Sequence, residues 1–206
     1  MISAGIITIS DKGATGRRED LSGPAIRDML ASLPAAVKCY EIIPDEKGLI
    51  SDRLIHFADT LQLDLIVTTG GTGVGVRDFT PEATRAVLDK EIPGMAEVMR
   101  TESLKKTPHA MISRAVVGVR GRSLIVNLPG SPKAVRENLG FIEAAIPHAV
   151  ELLQSAGALR NPEAALELYR SWKGDAMADA RGAALVAALA LSPEAQRQAV
   201  VELAAA

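Results

Sequence analysis

The sequence predicts an α/β protein: a three-layer α/β/α sandwich on a mostly parallel sheet, followed by an alanine-rich helical extension. Three observations carry that expectation. β-Branched runs alternate with helix-spaced segments through the first three quarters of the chain. Leu63 to Thr69 is an uninterrupted apolar run, the pattern of a strand buried on both faces of a parallel sheet. From about Ala156 onward alanine dominates and the strand pattern stops.

Each element follows from its own residues. Ile2 to Ser10 reads as a strand ending in the polar loop Ser10-Asp11-Lys12-Gly13-Ala14-Thr15-Gly16. Pro24 to Leu33 places Ile26, Met29, Leu30 and Leu33 on one helical face. Val37 to Ile43 is a strand stopped by Pro44, with Cys39 as a small core side chain. Leu49 to Leu61 is helical again, with Leu54, Phe57, Ala58 and Leu61 on one stripe. The apolar strand Leu63 to Thr69 then runs directly into Gly70-Gly71-Thr72-Gly73.

Thr80-Pro81-Glu82 reads as a helix start, with a hydroxyl N-cap, proline at the first helical position and an acid in the first turn. Pro93 to Leu104 is a short helix. Ala115 to Val119 and Ser123 to Leu128 form a hairpin about Arg120-Gly121-Arg122. Pro129-Gly130-Ser131-Pro132 turns the chain into a helical region reaching about Leu153. The expected division is a domain over residues 1–155 and a tail over 156–206. Asn161-Pro162-Glu163 and Ser192-Pro193-Glu194 mark helix starts in that tail, which carries no catalytic constellation.

Composition excludes several functions. Of 206 residues, 23 are basic and 25 acidic, a net charge of −2, and 48% are hydrophobic, as in a soluble globular protein. That balance supplies no basic field for a nucleic-acid backbone, and 3% aromatics leave few platforms for stacking bases. The single cysteine excludes an internal disulfide framework and any multi-cysteine metal site. His56, His109 and His148 are too widely spaced for a local ligand pair. Met1 to Gly5 begins a strand without the basic region of a signal peptide, and Ala183 to Leu191 is too short to span a bilayer. The expectation is a cytoplasmic protein with neither nucleic-acid nor membrane partners.

Open α/β sheets bind ligands in the crevice beyond the carboxyl ends of their strands. The loops at those ends are Ser10-Asp11, Pro44-Asp45-Glu46, Gly70-Gly71-Thr72-Gly73 and Pro129-Gly130-Ser131. The glycine loop can bring backbone N–H groups close to an anion, or simply turn a strand into a helix. It lacks the GK[ST] of a Walker A loop and does not fit GxGxxG. Asp45 and Asp78 close two different loops. Two carboxylates beside an anion site call for a cation between them, which points to Mg²⁺ in phosphoryl or nucleotidyl transfer. Taken singly, each has a plainer reading: Asp45 capping a turn after Pro44, and Asp78 paired with Arg77. Ser131 and Lys133 open a helix, where free N–H groups and a lysine charge suit a phosphate, or where a Pro-Gly turn merely begins.

Thr68-Thr69-Gly70-Gly71-Thr72-Gly73 followed by Arg77-Asp78-Phe79-Thr80-Pro81-Glu82-Ala83-Thr84 resembles the molybdopterin adenylyltransferases. Ile9-Ser10-Asp11, Ile43-Pro44-Asp45-Glu46, Pro93-Gly94-Met95, Met111-Ile112-Ser113-Arg114 and Asn127-Leu128-Pro129-Gly130-Ser131-Pro132-Lys133 extend the resemblance over roughly residues 1 to 154. The resemblance implies the molybdopterin-binding fold, a homotrimer, and adenylylation of the terminal phosphate of molybdopterin by ATP. It makes Asp45 and Asp78 the essential catalytic pair, holding Mg²⁺. Ser10, Asp11, Gly70, Gly71, Thr72, Gly73, Pro129, Gly130, Ser131 and Lys133 would hold the substrates. It further implies a downstream protein that inserts molybdate into the product. The competing expectation is a protein of the same fold that binds molybdopterin without adenylylating it. Lys12 stands where many members carry arginine or threonine, and the tail lies outside the resemblance.

Overall fold

The computed structural model describes residues 1–160. Six strands form one sheet in the order β2-β1-β3-β6-β5-β4. They are β1 (Ile2–Ile9), β2 (Ala35–Ile43), β3 (Leu65–Thr69), β4 (Lys90–Glu91), β5 (Val117–Arg120) and β6 (Ser123–Leu128). β1 pairs in parallel with β2 and β3, and β3 with β6. β5 runs antiparallel to both β6 and β4. The expected parallel sheet with an added antiparallel pair is therefore present, extended by β4. That strand has two exposed residues, so it exists through backbone pairing to Val119 and Gly118 and leaves no apolar trace in the sequence.

The period of two along each strand divides the core into two layers. Ile2, Ala4 and Ile6 of β1, Leu65 and Val67 of β3, and Leu124 and Val126 of β6 face one side. There they pack under α2 (Ser22–Leu30), α5 (Pro93–Leu104) and α6 (Pro132–Ile142). Ile7 and Ile9, Ile66 and Ile125 face the other side, beneath α3 (Lys47–Ile55) and α4 (Thr80–Arg85). These strand residues are buried to within a few per cent, which fits the continuous apolar run read as a doubly covered strand.

The structure corrects several boundaries. The loop after β1 forms a short helix, α1 (Asp11–Ala14), capped by the Ser10 hydroxyl, which accepts the Gly13 N–H. The helix expected from Pro24 starts at Ser22, because Asp20 accepts the N–H groups of Ser22 and Gly23 ahead of the proline. Thr80 is not a side-chain cap: Phe79 occupies that position, and the Thr80 hydroxyl donates instead to Gly70 O at 2.9 Å. The helical stripe through Leu61 closes with a π-turn at His56–Thr60. After α6 a single 3₁₀ turn, Glu143–Ala145, leads into α7 (Ile146–Arg160). Two units divide the chain, Met1–Leu153 and Gln154–Ala206, and the sheet and both apolar layers belong to the first. The helices expected in the tail from Asn161 lie outside the described residues. Among the described residues no helix is long and apolar enough to cross a membrane.

Candidate active site

The parallel register levels the strand ends: Ile9 stands opposite Ile43, Thr8 opposite Thr69, and Thr69 opposite Leu128. Four loops consequently leave one edge together. They enclose a cleft of about 220 Å³ whose lining includes Ser10, Asp20, Asp45, Gly70, Asp78 and Gly130.

The glycines permit this convergence. Gly70 has φ +100°, and a Cβ there would stand 2.1 Å from Ile9 O. At Gly71, with φ +62°, a Cβ would lie 2.3 Å from the Thr80 hydroxyl and 3.0 Å from Asp45 Oδ1. Side chains at Gly73 and Gly75 would meet Asp78 Oδ2 at 2.9 and 2.8 Å. Both carboxylates thus lie against a loop that only glycine backbone can form.

Hydrogen bonding gives the loop its polarity. Its carbonyls are taken: Gly70 O by the Thr80 hydroxyl, Gly71 O by Thr80 N–H, Thr72 O by Arg114 N–H and Gly73 O by Arg114 Nε. On the neighbouring loop the Thr69 hydroxyl donates to Pro129 O at 2.7 Å and the Ser22 hydroxyl to Gly130 O at 2.8 Å. Among the described residues no acceptor meets the N–H groups of Gly71, Thr72 and Gly73. Occupied carbonyls and open amides make an anion receptor.

The acids are not equivalent. Asp45 Oδ2 accepts the Asp11 N–H at 3.1 Å, and Asp11 Oδ1 accepts the Asp45 N–H at 3.1 Å, lacing the first two strand ends together. Burial pushes the Asp45 carboxyl above its ordinary value; the Asp11 N–H and Arg77 pull against it, while the charges of Asp11 and Asp78 add to it. Arg77 does not pair with Asp78. It forks onto Asp11 at 2.6 and 2.8 Å and holds that carboxyl low. Asp78 Oδ2 instead accepts the Gly75 N–H at 2.6 Å. Neither single-residue reading survives: Asp45 bridges to another strand's loop, and Asp78 leaves Arg77 to Asp11.

Asp20 is a site residue that the sequence reading missed, although an acid just ahead of Ser22-Gly23-Pro24 has the look of a helix cap. Its carboxylate accepts from the Thr8 hydroxyl at 2.6 Å, from the Tyr40 hydroxyl and from two amides of α2. Burial alone would raise its pKa, but these donors outweigh burial and lower it. Burial, then the hydrogen bond to Asp20, pushes Tyr40 up to about 12.

The remaining expected residues divide. Thr72, Gly73 and Pro129 turn to a second hollow of about 240 Å³, shared with Arg100, Ser113 and Asn138 on the other side of the same loops. Asp11 stands at the first cleft through its exchange with Asp45. Ser131 caps α6 by accepting the Ala134 N–H at 3.2 Å, which leaves its O–H free to donate. Lys133 is exposed in the first turn of α6 and lines neither hollow. Among the described residues no trio of acids, histidines or cysteines forms a metal cage. A pair of carboxylates completed by substrate phosphates and water is nevertheless a donor set that suits Mg²⁺.

An open sheet whose carboxyl-edge loops set open amides beside two carboxylates places this chain among α/β proteins with a polar cleft at the carboxyl edge of a parallel sheet. Comparison with known proteins narrows that class. Residues 5–148 match the family model described as a probable molybdopterin binding domain. The molybdopterin adenylyltransferase of Helicobacter pylori strain J99 is 48% identical over 154 residues, which cover 74% of this chain and 88% of that relative. The molybdopterin biosynthesis enzyme MoaB of Thermus thermophilus superimposes with a TM-score of 0.71 at 54% identity, covering 74% of this chain and 96% of that structure. The tungsten cofactor synthesizing protein MoaB of Pyrococcus furiosus does so at 0.66 and 36% identity, covering 74% and 97%. The chain belongs to the molybdopterin adenylyltransferase family.

Proposed function

We propose that this protein transfers AMP from ATP to the terminal phosphate of molybdopterin, giving adenylyl-molybdopterin and pyrophosphate. One observation carries the reading: Asp45 and Asp78, from different strand ends, line one cleft against a glycine loop whose amides are open.

The chemistry requires little activation. A phosphate monoester is largely dianionic near pH 7, its second pKa being about 6. Its oxygen attacks the α-phosphorus of ATP, the bond to the β-phosphate oxygen breaks, and pyrophosphate carries away the electron pair. No histidine or serine base is needed, and none lines the cleft in a pairing that would supply one. The work left to the protein is alignment and charge stabilisation. The amides of Gly71, Thr72 and Gly73 face the phosphates, and the capping hydroxyls of Ser10 and Ser131 can donate to them. Asp45 and Asp78 would hold Mg²⁺, which supplies positive charge to the polyphosphate when bound. Because the two hollows share the Gly70–Gly73 and Pro129–Gly130 loops, nucleotide in the first and pterin in the second would bring their phosphates together there.

The same reading includes a cytoplasmic homotrimer that delivers its product to a molybdate-inserting protein. Val76, 92% exposed, and Met111, 70% exposed, are apolar side chains available for subunit contact. Pyrophosphate release from Mg-ATP that depends on added molybdopterin tests the reaction. Tight pterin binding without release would select the binding-only alternative. Sedimentation tests the trimer.

A further inference from the structure

The arginine of the Met111-Ile112-Ser113-Arg114 segment lines neither hollow, yet it holds the loop that carries Asp78. Its backbone N–H donates to Thr72 O at 2.9 Å. Its Nε donates to Gly73 O at 2.6 Å and its Nη2 to Asp78 O at 2.5 Å. Its Nη1 meets the Glu82 carboxylate in the first turn of α4. One planar guanidinium thereby ties both ends of the Gly73–Asp78 excursion to the helix that follows. The arginine is itself anchored: Ala115 and Val116 next to it are buried, and the Val116 N–H donates to Asn127 Oδ1.

We propose that Arg114 is a positioning residue that sets Asp78 against Asp45 by stapling the carbonyls of Gly73 and Asp78 to Glu82. The staple separates two halves of the loop. Gly70 and Gly71 are held by Thr80 and do not depend on it. Gly75 and Asp78, whose mutual hydrogen bond fixes the carboxylate, do. Loss of the staple should therefore displace the acid while leaving the first amides in place. Lysine cannot replace it, since a point charge does not reach diverging acceptors as a planar fork does.

The inference rests on the proposed transfer reaction, so its test has one arm that needs no turnover. Arg114→Lys and Arg114→Ala should lower kcat by about tenfold or more, with KM for ATP within about threefold of wild type, as expected when misplacement and not binding limits the rate. Millimolar methylguanidinium should restore part of the Arg114→Ala rate and none of the Asp78→Asn rate. In the second arm, the Gly75 amide should lose hydrogen-exchange protection in Arg114→Lys while the amides of β1 and β3 keep theirs. A kcat within about twofold of wild type, or unchanged Gly75 protection, overturns the staple. If the wild-type protein shows no turnover, the functional reading fails and the exchange arm alone decides. If Arg114→Ala does not fold, Arg114→Lys and Glu82→Gln carry both arms, with a smaller loss expected for Glu82→Gln.

Discussion

The two edges of the sheet treat aspartate in opposite ways. At the amino edge Asp64 is almost fully buried, accepts the Ser3 N–H and hydroxyl at 2.8 and 2.7 Å, and pairs with Arg122. At the carboxyl edge Asp45 accepts the Asp11 N–H and faces two further negative charges. A buried carboxylate surrounded by donors has spent its capacity holding strands together. One left short of donors retains the capacity to bind something positive, and the protein carries the cost until it does. The glycines repeat the contrast. Gly71 and Gly121 both have φ near +60°, yet a Cβ at Gly121 meets nothing within 4 Å whereas one at Gly71 collides with Thr80 and Asp45.

That contrast is most sharply broken at the acids. Asp45→Asn and Asp78→Asn should each lower molybdopterin-dependent pyrophosphate release by about 10²–10³-fold, the scale of losing one preorganised electrostatic group, with the melting temperature nearly unchanged. Wild-type rates in both variants would remove the paired-carboxylate mechanism. Asp64→Ala should do the reverse, costing about 2 kcal/mol in urea unfolding by leaving the Ser3 N–H and hydroxyl without their acceptor, with activity per folded molecule retained. Gly71→Ala and Gly121→Ala share a backbone penalty of about 1 kcal/mol, and only Gly71→Ala should add a steric loss and lower turnover.

The smallest effect is a difference of sign. The Asp20 carboxyl is held below its ordinary 3.8, so its stabilisation is present above that pH and is lost as pH falls toward its folded value. The Asp45 carboxyl is raised, so the folded state holds its proton longer and the group's contribution falls as pH rises through its titration. Asp20→Asn should consequently flatten the acid limb of a stability–pH curve. Asp45→Asn should raise the melting temperature slightly at about pH 7 and leave it unchanged near pH 3. A melting temperature lowered at neutral pH in Asp45→Asn would mean that the carboxylate is structural after all.

Local patterns are readable where they are local in origin. The β-branched run in Ile2–Ile9, the continuous run Leu65–Thr69 and the helical stripe of Ile26 and Leu30 each report burial of their own residues. The polar strand-end loops are legible too, because glycine and proline punctuate strands. β4 is invisible because its two residues bury nothing. Thr80 misleads because its hydroxyl has a better acceptor, Gly70 O, ten residues away than the cap its neighbours suggest. Asp20 and Arg114 escape notice as site residues because their partners lie on other strands and loops.

By itself the sequence determined the kind of protein: a parallel sheet, from strands apolar on both faces, with glycine and aspartate at the ends where ligands bind. Only tertiary structure decided what each charge does. Arg77 stands next to Asp78 in the chain but reaches Asp11 across 66 residues, and Asp45 meets Asp11 across 34. Solvation follows from such long-range neighbours, since the pKa of an acid depends on the donors and charges packed around it and not on the residue beside it in the chain.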